Sequence, residues 1–138
     1  MGWEQIYEQW KNHQQLEAGL KDQLTELEKD PEMLQDAFYM PLEFGTAGMR
    51  GILGPGINRM NIYTVRQATE GLARFMDTQD PETRRRGVAI AYDSRHFSPE
   101  FAMEAAKTLA KHDIPAFVFE SLRPTPELSF AVRYLHTF

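Results

Sequence analysis

Gly87-Val88-Ala89-Ile90-Ala91-Tyr92 is a continuous run, mostly small and apolar. A strand wetted on one face alternates apolar with polar residues. A run without alternation is the pattern of a strand covered on both faces, as in parallel sheets. Ser98-Pro99-Glu100 follows and reads as a helix start, with Ser98 as N-cap, Pro99 at N1 and Glu100 at N2. Phe101, Ala105 and Leu109, with Ala102 and Ala106, give that helix one apolar face. Ile114 to Phe119 is a second strand, with Pro115 where no ladder donor is needed. Strand, helix, strand in this order is a βαβ unit, right-handed by strong preference. It sets the class: α/β, a three-layer α/β/α arrangement around a small sheet.

Outward from this unit, Thr125-Pro126-Glu127 repeats the cap pattern and opens a final helix to about Tyr134. Asp80 to Gly87 reads as a polar connector, and Arg84-Arg85-Arg86 within it as a solvated loop edge. A helix is expected from about Ile62 to Met76, with Val65, Ala68, Leu72 and Phe75 as its buried stripe. Gly71 inside it costs about 1 kcal/mol against alanine, which implies close packing there. Gly54-Pro55-Gly56 is a turn and Ile57 to Asn61 a loop. Leu42–Phe44 and Arg50–Leu53 are short strands flanking a Gly45–Met49 turn, and the sheet is mixed if this hairpin joins it.

The first forty residues read as a helical leader. Trp3, Ile6, Tyr7 and Trp10 recur at helical spacing, and Leu16, Leu20, Leu24 and Leu27 continue the pattern to Lys29 after a break around Gly19. Asp30-Pro31-Glu32 starts a second helix to about Phe38. The Trp-bearing stripe either packs on its own domain or serves as a partner-binding face. The organisation is therefore a helical leader over 1–40 and one α/β domain over 41–138.

The 138 residues suffice for one core, burying roughly 68% of the unfolded surface. A net charge of −5, with a single basic run, argues against nucleic acid as a partner. The absence of cysteine excludes disulfides and thiolate zinc sites and suits a reducing cytoplasm. No basic-then-apolar secretory segment opens the chain, and no apolar run approaches the roughly 20 residues that span a bilayer. His13, His96, His112 and His136 lack metal-ligand spacing; His13 and His112 are expected exposed on helices, and His96, just past Asp-Ser-Arg, either faces the cleft or is an ordinary loop residue.

Phe44-Gly45-Thr46-Ala47-Gly48-Met49-Arg50-Gly51 carries the chemistry. Glycines let backbone approach a ligand closely. Arginine offers a planar fork that matches phosphate or carboxylate. A tight turn presenting Arg50 beside free backbone N–H groups is an oxyanion cradle; the alternative is a hairpin that merely turns the chain. Asp93-Ser94-Arg95 sits at a strand's carboxyl end, where α/β sheets gather ligands. Arg95 stands where a phosphoaspartate site has a second Asp, which rejects that chemistry and leaves Asp93 as a cap or an ion pair with Arg95 or Arg50. Gly51–Gly56 lacks the Gly-Lys-Ser/Thr ending of a nucleotide P-loop.

Three motifs in order, Phe44–Gly51, Val88–Arg95 and Arg123-Pro124-Thr125-Pro126-Glu127-Leu128, resemble the N-terminal domain of the α-D-phosphohexomutases, which include phosphoglucomutases and phosphomannomutases. The first is most similar to the phosphoglucomutase and phosphopentomutase-like branch. The resemblance implies a chain truncated before the catalytic phosphoserine loop, a Thr-Ala-Ser-His-Asn-Pro-type sequence absent here. Neither Ser94, Ser98, Ser121 nor Ser129 is followed by His-Asn-Pro, so the catalytic residue is expected beyond Phe138. It also implies that Thr46, Ala47, Gly48, Met49 and Arg50 form the active-site phosphate loop, and that Asp93, Ser94 and Arg95 support the cleft. The remaining domains of the same polypeptide would supply the magnesium ligands and read the sugar phosphate. No metal is expected on this chain alone, and self-association through uncovered apolar surface is. Two rivals stand beside this reading: a non-catalytic sugar-phosphate-binding module, and an interaction domain working through the Trp3–Trp10 helix.

Overall fold

The computed structural model describes residues 2–45, 48–49, 51–92, 97–119, 121 and 125–137. The chain forms two compact units, residues 1–64 and 65–138, each described by itself.

In the first unit, α1 (Trp3–Lys11), α2 (Ala18–Leu27) and α3 (Pro31–Tyr39) are followed by β1 (Phe44–Gly45) and β2 (Gly48–Met49). The leader does not break at Gly19. It breaks over residues 12–17, where His13 accepts a bond from the Gln15 amide (3.2 Å), so His13 lies in a loop and not on a helix. Asp30 caps α3 as expected, its carboxylate accepting from the Met33 amide at 3.3 Å. Phe38 is fully buried at the centre of the unit with Leu24, Leu34 and Ala37. Tyr7 meets its ring at 5.7 Å, and Trp10 meets it edge-on at 5.7 Å. Trp10 also packs edge-on against Tyr63 at 5.6 Å. The aromatic stripe of α1 is therefore partly buried against the core of its own unit.

In the second unit the helices are α4 (Ile62–Asp77, whose first turn contains the division), α5 (Pro81–Arg86), α6 (Ser98–Ala110) and α7 (Thr125–Leu135). The strands are β3 (Val88–Ile90) and β4 (Ala116–Val118). β3 and β4 pair in parallel with α6 between them, the expected βαβ unit, in the register Val88↔Ala116, Ala89↔Phe117, Ile90↔Val118. Pro115 gives no donor, but its carbonyl accepts from the Val88 amide at 2.9 Å. Val88, Ile90 and Ala116 lie against a core of Ala73, Met76, Leu109 and Ile114. The architecture is α/β as expected.

Several local expectations are corrected. The hairpin strands are shorter and lie closer to the turn than Leu42–Phe44 and Arg50–Leu53. They pair only with each other, so the described strands form two separate two-stranded sheets and not one mixed sheet. The β3 run is half-buried and not sealed on both faces, and Phe117, next to Ala89 in the ladder, is 43% exposed. On α4 the fully buried residues are Ala73 and Met76, whereas Leu72 and Phe75 are exposed. Both rows are apolar at helical spacing, and the row facing Leu109 and Ile114 is the one that is covered. Gly71 meets nothing within 4 Å, so no close packing explains it.

The Asp80–Gly87 connector is the helix α5, capped by the Asp80 carboxylate on the Thr83 amide at 2.9 Å. Its arginines lie on a helix and not on a loop edge; Arg85 and Arg86 are exposed as expected, but Arg84 pairs with Asp77 at 2.9 Å, and Arg86 donates to the carbonyls of His136 (2.9 Å) and Thr137 (3.1 Å) after α7. α6 begins at Ser98 itself, with Phe97 at the cap position in the left-handed region, φ 65°. No helix among the described residues is long and apolar enough to cross a membrane.

Candidate functional site

The glycine-rich stretch folds into a hairpin. Phe44 pairs with Met49 and Gly45 with Gly48, antiparallel. Gly48 and Met49 are β2, and Thr46, Ala47 and Arg50 lie outside the described residues. Both outer ends of the hairpin are held by the segment that follows. The Leu42 amide donates to the Ile57 carbonyl at 2.8 Å, and the Met60 amide to that of Ile52 at 2.8 Å. Leu53 and Met60 form an isolated bridge, and the Gly54 amide reaches the Met60 carbonyl at 3.2 Å.

That segment, expected to be a turn at Gly54–Gly56 and a loop over Ile57–Asn61, is a polar knot. Gly56 has φ 124°, and a Cβ there would stand 2.4 Å from the Ala37 carbonyl oxygen, so only glycine lets this backbone lie on α3. Asn58 donates through Nδ2 to the Asp36 carbonyl at 3.1 Å, and its amide to that of Ala37 at 2.9 Å. Arg59, 4% exposed, reaches Asp36 Oδ2 at 2.8 Å. Asn61 and Thr64 are also buried and bonded to each other, the Asn61 amide donating to the Thr64 hydroxyl at 3.0 Å. The signal for it was present: asparagine directly before an amphipathic helix, with threonine three residues on.

The second motif begins with β3, one strand of the parallel pair. Because β3 and β4 run the same way, the chain leaves both at one edge, toward α6 and α7 respectively. α6 packs on β4 and α7 on β3. Asp93, Ser94, Arg95 and His96 lie outside the described residues, as do Arg123 and Pro124 of the third motif; Thr125 opens α7.

Elsewhere in the second unit, His112 is neither exposed nor on a helix. It sits in the turn after α6, with its side chain 19% exposed. Its Nε2 lies 2.9 Å from both carboxylate oxygens of Glu70, and its Nδ1 lies 2.8 Å from Asp77 Oδ2. Arg74 pairs with Glu70 at 3.2 Å and Arg84 with Asp77, so two carboxylates alternate with three cations. Hydrogen bonds to Glu70 and then Asp77 raise the His112 pKa above the ordinary imidazole value. The bonds from His112 are likewise the main cause lowering both carboxyls. The partners come from residues 35 and 42 positions away, which no spacing rule scans. Among the described residues, no group of three His, Cys, Asp or Glu could hold a metal ion.

A family described as Phosphoglucomutase/phosphomannomutase, alpha/beta/alpha domain I, matches residues 41–138. The chain is 45% identical over 103 residues to a phosphoglucomutase of Staphylococcus aureus (strain bovine RF122 / ET3-1), covering 75% of this chain and 18% of that protein. It is 38% identical over 114 residues to a human phosphopentomutase, covering 78% of this chain and 19% of that protein. The chain thus spans about a fifth of the length of the curated relatives it matches. No solved structure matches it.

Proposed function

The chain belongs to the phosphoglucomutase/phosphomannomutase family through its α/β/α domain I, and from this we propose that it is the phosphate-gripping first domain of a phosphohexomutase. The whole enzyme would interconvert a sugar 1-phosphate and its 6-phosphate, or the pentose equivalents. A serine carried by the same polypeptide outside these residues would give its phosphoryl group to the free hydroxyl of the substrate. The bisphosphorylated sugar would then return its other phosphoryl group to the serine, leaving enzyme phosphorylation unchanged and the phosphate moved.

The role proposed for this domain is electrostatic. Phosphoryl transfer needs donors aimed at the equatorial oxygens while charge redistributes. Arg50 with Thr46 and the neighbouring amides would supply them, and the Asp93–Arg95 turn would brace the cleft. The observation that carries the reading is the order of the three motifs within the matched residues 41–138. Magnesium, expected for the whole enzyme, has no fitting ligand group among the described residues. A cysteine-free chain of this class fits the cytoplasm.

One arginine and two or three amides supply about 4 kcal/mol, a millimolar site. The 138 residues alone should therefore bind phosphate weakly and turn nothing over. The decisive test is Arg50→Lys in the polypeptide that joins this chain to its serine. The charge stays and the bidentate fork is lost, so turnover should fall; unchanged mutase kinetics would remove Arg50 from the site.

A further inference from the structure

We propose that Asn61 is a positioning residue for the hairpin that carries the phosphate loop, an inference that rests on the reading of that loop given above. Its amide does two separable jobs. Oδ1 accepts from the backbone amides of Tyr63 (3.0 Å) and Thr64 (2.9 Å) and so caps α4. Nδ2 donates to the carbonyls of Gly54 (2.8 Å) and Gly56 (3.1 Å). A primary amide has two N–H donors and two lone pairs on oxygen, and all four are used. The side chain is buried, with the residue 3% exposed, and this bonding pattern admits only one orientation of the amide.

Capping needs only the oxygen, which serine, threonine or aspartate provide as well. The Nδ2 pair serves the loop. Gly54, which it holds, donates to Met60; Met60 donates to Ile52 beyond β2; and Ile57, one residue past Gly56, accepts from Leu42 ahead of β1. The Thr64 hydroxyl donates to the Arg59 carbonyl at 2.8 Å, and Arg59 reaches back to Asp36 on α3. One buried amide therefore fixes the segment that grips both outer ends of the hairpin. Donors that stabilise developing charge act most strongly when fixed before the ligand arrives. Asn61 supplies that fixity without touching the ligand.

The test uses the 138-residue chain and Asn61→Ser, which keeps a capping oxygen and loses both Nδ2 donors. The backbone ¹⁵N order parameters of Gly48 and Met49 should fall from about 0.85 to below about 0.6, while the α1–α3 amides keep their wild-type shifts. Unchanged order at Gly48 and Met49 overturns the proposal. Should the variant fail to fold, hydrogen exchange in the wild type decides. The Leu42, Gly54 and Met60 amides should then exchange at rates within about threefold of one another, as one opening unit; rates scattered over several decades overturn it. Inorganic phosphate titrated into the wild type tests the underlying reading separately. Shifts at Gly48 and Met49 support the phosphate loop, and their absence removes that reading while leaving the order-parameter result to stand.

Discussion

His112 faces Glu70 with one ring nitrogen, 2.9 Å from both carboxylate oxygens, while its other nitrogen is bonded to Asp77. Neutral imidazole carries one N–H; only the imidazolium donates on both sides. Its pKa is raised, so its contribution is complete below the unfolded value near 6.5 and is lost as pH climbs through the higher folded value. Glu70 and Asp77 are lowered, so theirs is present above the ordinary carboxylate range and lost as pH falls through the depressed folded values. The clamp should therefore stabilise most between about pH 4.5 and 6.5. The gap in melting temperature between wild type and His112→Gln should be widest there and narrow toward pH 9. A gap constant with pH would mean that the ring contributes only packing.

Two glycines should respond oppositely to alanine. Gly87 has φ 75° and ψ −170°, and a Cβ there would stand 2.5 Å from the Pro115 carbonyl oxygen that β3 uses. Gly87→Ala should cost about 2–3 kcal/mol in urea unfolding. Gly71 is an exposed helical glycine with open space where a Cβ would go, so Gly71→Ala should gain up to about 1 kcal/mol.

Met76 and Phe75 are neighbours with opposite fates, the first fully buried and the second 53% exposed. Met76→Ala should cost about 2–5 kcal/mol, and Phe75→Ala well under 1 kcal/mol. Equal costs in denaturant titrations would return the buried stripe to the row of Leu72 and Phe75.

Asp80 caps α5 through Thr83, and its carboxyl is held below the ordinary range chiefly by the Thr83 backbone amide. Asp80→Ala should lower the melting temperature at pH 7. The loss should shrink as pH falls through the depressed folded value, because the wild-type cap is then protonated as well; thermal melts at pH 7 and pH 2.5 measure both.

What was legible in the sequence is what is local. The Gly87–Tyr92 run, the strand after Pro115, the cap at Asp30 and the helix start at Thr125 each announce themselves within a few residues, and together they point to the α/β class. Asp80-Pro81-Glu82 is written in the same grammar as Asp30-Pro31-Glu32. The polar run from Asp80 to Arg86 has no apolar stripe to mark it as a helix; α5 stands on its cap and ion pairs. Which face of α4 is buried was not legible, since Leu72 and Phe75 are as apolar as Ala73 and Met76 and only distant Leu109 and Ile114 decide. The same holds for the His112 clamp and for Arg59 with Asp36, whose partners are distant in sequence. Of the candidate site, the hairpin was visible in its glycines, whereas the side chains meant to act, Thr46, Arg50 and Asp93–Arg95, lie outside the described residues.

The two pairings differ in how much chain must be brought together first. β1 and β2 are neighbours in sequence, and a hairpin forms in about 1–10 μs. β3 and β4 are separated by the whole of α6, and such non-local pairing slows folding. The glycine hairpin should therefore pair before the parallel edge, and lesions in α6 should delay the second pairing even where they leave the first untouched.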